Sequence, residues 1–269
     1  MKRKLVSGVI VGTLIALATA ACGGSTASSS EVVHTAEYTL AQGATVSVKA
    51  DNASVTIRRS ETEKTEVTAT VRNPDKVKFF ILPQGTEPVQ ELRVSATVDD
   101  GDAGRDAGSD IVVEVTDGTV LTIETSNGAV EFYGASLGEV NVVTSNGPIN
   151  IQSSRGDFAL TTSNGQLTIN ASEGTFWTQT SNGAIDFNGK VLPTRSNRFK
   201  TSNGAITVRL AGEPDLTLTI TAGNGTVTAE GATNLREVSK VYTARYGEGN
   251  GAVTVETSNG NVSISRAGG

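Results

Sequence analysis

Apolar side chains recur at every second position along much of this chain, and the same four residues interrupt the alternation at regular intervals. Before the interruption run Leu121/Ile123/Thr125, Val140/Val142/Thr144, Phe158/Leu160/Thr162, Phe176/Thr178/Thr180 and Leu218/Ile220/Ala222. After it run Val130/Phe132, Ile149/Ile151, Leu167/Ile169, Ile185/Phe187, Ile206/Val208, Val227/Ala229 and Val262/Ile264. A period of two puts all the apolar positions on one face of an extended strand and leaves Thr, Asn, Gln, Glu, Asp and Arg on the other. Each flank is therefore a predicted strand with one buried face.

The interruption is Thr-Ser-Asn-Gly, at 125–128, 144–147, 162–165, 180–183, 201–204 and 257–260. The repeated asparagines are Asn127, Asn146, Asn164, Asn182, Asn203, Asn224, Asn250 and Asn259, with spacings of 19, 18, 18, 21, 21, 26 and 9. Asn224 and Asn250 lie in variant turns, Ala-Gly-Asn-Gly and Glu-Gly-Asn-Gly, and Asn52 matches the same frame far upstream. Repeats of about 20 residues point to a stacked solenoid. Identical residues then lie over one another, so the asparagine amides are expected to form a ladder. The threonines are expected to point inward at a narrowing corner, and Asn and Gly to supply the positive φ of a sharp turn. A second corner, at 135–138, 153–156 and 172–174, closes each unit. Asn-Gly between alternating strands is also a strong hairpin signal, so an antiparallel meander or sandwich is the competing reading. Near-equal spacing and a shared phase on both sides of the turn favour the solenoid.

The expected fold class is thus all-β: a single-stranded parallel β-solenoid, or β-helix, over residues 111–266. Residues 38–110 hold less regular strands, read as an irregular N-terminal β cap ending in an acidic loop. Thr233–Lys240 is an insertion expected to form a short helix or loop over the C-terminal end. Aromatics are only 4% and there are 30 glycines, a mix that disfavours a thick core and suits short strands with tight turns.

The N-terminus carries an address. Lys2, Arg3 and Lys4 precede an apolar run over residues 5–18, too short to favour a spanning helix. Thr19-Ala20-Ala21 leads into Cys22, the only cysteine. The arrangement resembles a bacterial lipobox, which implies that residues 1–21 are removed and Cys22 carries lipid. An ordinary cleaved signal with a spare thiol is the alternative. Residues 22–37 begin with a Gly/Ser-rich run and read as a tether. The protein is expected to be exported and anchored to the outer face of the cell membrane, or to face the periplasm where the envelope has two membranes. The first 21 residues hold three basic groups and no acid, so the remainder carries 19 basic against 28 acidic groups, a net charge of −9. That balance argues against nucleic acid as a partner and against lying flat on anionic lipid.

Candidate chemistry is sparse. His34, the single histidine, falls in the tether and reads as a solvated linker residue. With it and Cys22 set aside, triads and Cys/His metal centres have no ligands to draw on. Five carboxylates at 99–110 could hold calcium. An EF-hand frame starting at Asp100, however, puts Arg105 where glycine is needed and Gly104 where a ligand is needed. The segment reads as an acidic loop. The outward row four residues past each asparagine is Glu131, Asn150, Thr168, Asp186, Thr207 and Thr228. Its acids are three coils apart, about 14 Å at strand spacing, too far for paired acid–base work. No catalytic residue, cofactor or metal is expected. Trp177 sits between inward Phe176 and Thr178, so it should face outward, where it could stack on a sugar ring unless a loop or the N-terminal segment covers it.

Repeated Thr-Ser-Asn-Gly strands behind a lipoprotein signal resemble a bacterial β-strand-repeat family provisionally labelled adhesins, a domain of unknown function. Ile111–Gly128 is similar to the start of that family's repeats, and the resemblance spans roughly residues 110–266, more weakly from 38. It implies a fold and brings no catalytic signature. The expected function is a lipid-anchored, non-catalytic, adhesin-like binding module of the cell envelope. Its partners would be the membrane, through lipid on Cys22, and a cell-wall glycan or an envelope protein. An envelope scaffold or sensor partner is the alternative, and a cryptic glycan-active enzyme the third reading.

Overall fold

The structure, a computed structural model, describes residues 31–98, 107–193 and 195–267. The N-terminal part forms β1 (Glu31–Tyr38), β2 (Leu40–Ala50), β3 (Ala53–Arg59), β4 (Thr65–Arg72), β5 (Val77–Gln84), β6 (Val89–Val98) and β7 (Gly108–Val115). The regular repeats supply β8 (Val120–Thr125), β9 (Val130–Tyr133), β10 (Ser136–Thr144), β11 (Ile149–Gln152), β12 (Arg155–Thr162), β13 (Leu167–Thr180), β14 (Ile185–Val191), β15 (Asn197–Asn203) and β16 (Ile206–Leu210). The C-terminal part adds β17 (Leu216–Asn224), β18 (Val227–Ala229), β19 (Thr233–Val238), β20 (Val241–Tyr246), β21 (Gly251–Asn259) and β22 (Val262–Arg266).

Each Thr-Ser-Asn-Gly corner joins a strand of one face to a strand of the other. On the first face β8, β10, β12, the second half of β13 and β15 pair in parallel. On the second, β9, β11, the first half of β13, β14 and β16 do the same. Parallel pairing rules out the meander and makes the chain a parallel β-solenoid. The register turns the period-two alternation into columns: Val140 lies between Leu121 and Phe158, and Ile149 between Val130 and Leu167. Phe132, Phe158, Phe176, Phe187 and Phe199 are all buried and form one run of ring contacts, with centroids 6.1, 5.5, 4.8 and 4.9 Å apart. Burial of each such ring contributes about 2–3 kcal/mol, so a few large side chains fill the space that the small ones leave.

Stack order and chain order differ at both ends. Coil β2–β3 lies directly on β8–β9, with Val46 on Leu121 and Val55 on Val130. Coil β6–β7, later in sequence, lies outside it, with Leu92 on Val46 and Ile111 on Val55. At the other end the last coil, β21–β22, inserts between β15–β16 and β17–β18: Thr257 pairs with both Thr201 and Ala222, and Val262 with both Ile206 and Val227. The spacings of 26 and 9 arise because the β19–β20 hairpin lies between Asn224 and Asn250, and because Asn250 is not at the ladder corner. Antiparallel strands finish each end: β5 on β6, β4 on β7 and β1 on β4 at one, β20 on β17 and β19 on β20 at the other.

Several local expectations are corrected. Residues 31–37, read as tether, are strand β1. Residues 233–238 of the expected helix or loop are strand β19, in a hairpin with β20. The boundary at 111 does not divide the stack, because β7 starts at Gly108 and the coil β2–β3 is in register with the repeats.

The corner glycines are also needed for a different reason from the one expected. None of the six Thr-Ser-Asn-Gly corners has positive φ at Asn or Gly; in this frame only Asn52 and Gly225 do. A Cβ added at Gly147, Gly165 or Gly183 would instead lie 1.6, 1.9 or 1.9 Å from the carbonyl oxygen of the glycine one coil away. Glycine is required by the approach of backbone to backbone. Gly165→Ala should therefore cost about 3 kcal/mol of stability in urea unfolding. Gly85→Ala is at φ +94 with nothing within 4 Å, and should cost about 1–2 kcal/mol, the strain of a left-handed backbone alone. Equal losses at the two sites would refute the close-approach explanation.

Candidate functional site

The repeated corner comes first, since it holds most of the residues singled out above. Thr162 points inward; its Oγ1 accepts from the Gly165 N–H at 3.0 Å and donates to the Gly147 carbonyl at 3.1 Å. Thr180 does the same with Gly183 and Gly165. Each hydroxyl thus closes its own turn and ties it to the turn beside it. The Ser145 carbonyl accepts the amides of Ser163 and Asn164 at 3.2 and 3.0 Å, continuing the stack through the backbone.

Outside the corner the asparagine amides form a ladder. Asn127 Nδ2 donates to Asn52 Oδ1 at 2.8 Å, and Asn146, Asn164, Asn182 and Asn203 each donate to the asparagine before them at 2.7, 2.7, 2.8 and 3.0 Å. The run then crosses to Asn259, which donates to Asn203 at 2.8 Å, and ends at Asn224, which donates to Asn259 at 2.8 Å. Asn250 stands outside it. It lies just before β21, at the opposite corner of the coil, and binds Asp215 through Nδ2 at 2.6 Å and its backbone N–H at 3.2 Å. Those bonds from Asn250, with help from the Gly249 and Glu248 amides, hold the Asp215 carboxyl below its ordinary pKa.

Each ladder amide spends a donor and an acceptor on its neighbours, so the row is built to hold the stack. Replacing Asn164 with Asp removes the donor to Asn146 and sets two acceptors against each other. At neutral pH Asn164→Asp should destabilise the fold by about 1–2 kcal/mol. The protonated acid can donate again, so its pKa rises in the folded state. Stability should return as pH falls below about 4, relative to wild type under the same conditions. A pH-independent loss in thermal unfolding would count against the ladder bond.

The remaining candidates fall in separate places. Cys22, and residues 99–106 of the acidic cluster, lie outside the described residues. Asp110 is paired: it accepts from the Ser54 hydroxyl and from Arg72 at 2.5 Å. Among the described residues no group of three His, Cys, Asp or Glu side chains is placed to hold a metal. His34 is not a solvated linker residue. It lies in β1, stacked on Phe79 with ring centroids 4.6 Å apart, and partial burial lowers its pKa. Glu131 and Asp186 sit three coils apart, about 14 Å at strand spacing. Each is engaged locally, Glu131 by Tyr133 at 3.0 Å and Asp186 by Arg209 at 2.6 Å.

Trp177 faces outward from the first face and is 43% exposed, so neither a loop nor the N-terminal strands cover it. Small Ala159 lies on one side of it and Arg198 on the other. Arg198 is drawn toward the next coil by Glu256, at 2.9 Å, which also meets Lys200 at 3.7 Å. The register carries the row of Trp177 onward through Arg198, Thr254, Thr219 and Thr243. Sequence spacing could not reveal that continuation, because the strands involved are stacked out of chain order.

An all-β chain wound as parallel coils, with stacked polar corners and with Trp177 and Phe80 open on the outer face of the first sheet, defines a β-solenoid. The chain belongs to the Toastrack DUF4097 family, whose model matches residues 26–265 and so takes in the N-terminal strands as well as the repeats. Among solved structures, the chain is similar to a Bacteroides fragilis protein provisionally called an adhesin: 12% identity and a TM-score of 0.47 over 87% of this chain and 96% of that one. A Clostridium sporogenes protein provisionally called a cell adhesion protein shares 14% identity at a TM-score of 0.45, over 89% of this chain and all of that one. A Parabacteroides merdae protein, also provisionally called an adhesin, shares 12% at 0.43 over 87% and 96%. No curated protein matches the chain. Among the described residues, no helix is long and apolar enough to cross a membrane.

Proposed function

We propose that the protein is an exported, non-catalytic binding module of the cell envelope, adhesin-like in action and held to a membrane by lipid on Cys22. The basic, apolar and small-residue segments that lead into Cys22 support the anchor. The observation that carries the binding role is Trp177, open on a flat sheet face and continued, beyond Arg198, by a row of threonines. An indole of that kind offers an apolar plate to the face of a sugar ring. Rows of hydroxyl and amide side chains offer donors and acceptors to its hydroxyls. Cell-wall glycan is the ligand class this reading names.

A second reading has its own support. Among the described residues strand β19 pairs on one side only, and it exposes Leu235 and, at 73%, Val238. An open edge of this kind suits a neighbouring envelope protein that adds a strand. The protein would then act as a scaffold or sensor partner.

The two readings separate in one experiment. The chain from residue 23 onward keeps every described strand. It is incubated with purified cell-wall sacculi and, separately, with detergent-solubilised membranes. Retention on sacculi that falls three- to tenfold in Trp177→Ala, roughly the loss of one aromatic stack, is the expected result. Retention of particular membrane proteins, unchanged in Trp177→Ala, would replace the glycan reading with the scaffold.

A further inference from the structure

The row that begins at Trp177 ends on two arginines. Arg236 of β19 pairs across from Thr243 of β20, and Arg245 lies two residues further along β20, on the same face as Thr243. The register shifts between Thr233, the partner of Arg245, and Arg236, so the two arginines are diagonal neighbours across an irregularity, roughly 7–8 Å apart in a regular ladder and within reach of one anionic group or of two adjacent ones. With Thr217, Asn234, Thr243 and Ala244 they line an open groove of about 360 Å³.

Most other described arginines hold a carboxylate, as Arg209 does on Asp186 at 2.6 Å, Arg59 on Asp117 at 2.8 Å and Arg198 on Glu256 at 2.9 Å; Arg58, over the Tyr133 ring, and Arg155 do not, but they stand apart from each other. Among the described residues neither the Arg236 nor the Arg245 guanidinium has an ion pair or a hydrogen bond. The one acid of the same hairpin, Glu237, is turned elsewhere. Glu237 alternates to the other side of β19, where it meets the Tyr242 hydroxyl. Two like charges kept close together, with hydroxyl and amide groups around them and no internal counter-ion in an acidic protein, favour an anion from outside. The guanidinium fork suits carboxylate and phosphate groups in particular.

We propose that the outer face of the first sheet takes an acidic polysaccharide, with a sugar ring on Trp177 and carboxylate or phosphate groups of the same polymer on Arg236 and Arg245. This rests on the glycan reading for Trp177 and adds the charge of the ligand and its direction across the strands. From Trp177 to Arg236 the row crosses β15, β21, β17 and β20, five strand spacings or about 24 Å. Thr254, Thr219 and Thr243 provide hydroxyls along the way. A hexose unit is about as long as one strand spacing, so an extended glycan can keep step with the coils. The location favours a polymer over the headgroups of the protein's own membrane. The chain enters through β1 at the far end of the stack, and the first sheet holds eleven strand spacings between its end strands, about 50 Å.

The test uses the chain from residue 23 onward. Its probes are polygalacturonate, the fully methyl-esterified form of that polymer, a phosphomannan, and phosphatidylglycerol vesicles. Binding to at least one charged polymer at low salt, with none to the methyl ester, is expected. Arg236→Ala/Arg245→Ala should weaken it about tenfold and reduce the slope of log affinity against log salt by about two. Arg236→Lys/Arg245→Lys, which keeps the charges but not the guanidinium fork, should lose less than the alanine pair and keep the salt slope. Circular dichroism and the unfolding midpoint should stay unchanged. If the alanine pair disturbs the fold, Arg236→Gln/Arg245→Gln carries the same test. Wild-type affinity in the folded arginine variant, no binding to either charged polymer, equal binding to the methyl ester, or binding to vesicles alone would overturn the proposal. Trp177→Ala keeps the two readings apart. If it binds polymer like wild type while the arginine variant fails, the stacking role falls and the anion site stands. If only Trp177→Ala weakens binding, the anion site falls and the glycan reading survives.

Discussion

Every coil must set its turn directly on the turn of its neighbour, at the spacing of two hydrogen-bonded strands. A turn brings backbone together, and here the turns themselves are stacked, so there is no room for a Cβ between the glycine of one coil and the glycine carbonyl of the next. The same closeness leaves inward polar atoms without water. The threonine hydroxyl answers that need by accepting from its own turn and donating to the adjacent one. Outside, the asparagine amide meets its copy at hydrogen-bond distance. Glycine, threonine and asparagine are three answers to one spacing.

The rest of the molecule follows from the same restriction. Narrow coils hold a narrow core, so large side chains are few and are concentrated in a single run of phenylalanines. The outer faces take little part in holding the coils together and are left to polar side chains and paired charges. Exposed pairs of that kind add little to stability. The face around Trp177 is therefore open to change without cost to the stack, as a binding surface needs to be.

The alternation and the repeated turn were enough to read the strands, their inward residues, the parallel solenoid and the outward aim of Trp177. Three kinds of feature were hidden. Asn250 carries the same Asn-Gly signature as the ladder residues yet sits at the opposite corner, because a short motif does not say which corner it occupies. Asn197 is buried and binds the Phe176 amide and the Leu192 and Arg195 carbonyls, repairing an irregular corner that no repeat marks. The neighbours of Trp177 beyond Arg198 come from strands stacked out of chain order, and periodicity along a chain carries no information about such exchange. The reason for the corner glycines was hidden too: composition says that glycine is present, and only the distance to the next coil says why.

The inserted final coil bears on how the protein comes to be made. Asn259 meets Asn203 across 56 residues of sequence and Asn224 across 35. A chain emerging from its N-terminus can wind β8 to β16 one coil after another, since each new coil rests on the one just finished. It cannot close the C-terminal end that way, because the place between β16 and β18 belongs to the last strands to appear. Until Arg266 has arrived, β15 and β16 present bare strand edges and β17 and β18 have no parallel partner. Long-range closure of this sort is slow compared with local pairing. The tail therefore works as a keystone: without β21 and β22 the stack stays unsealed, with the edges of β15 and β16 bare.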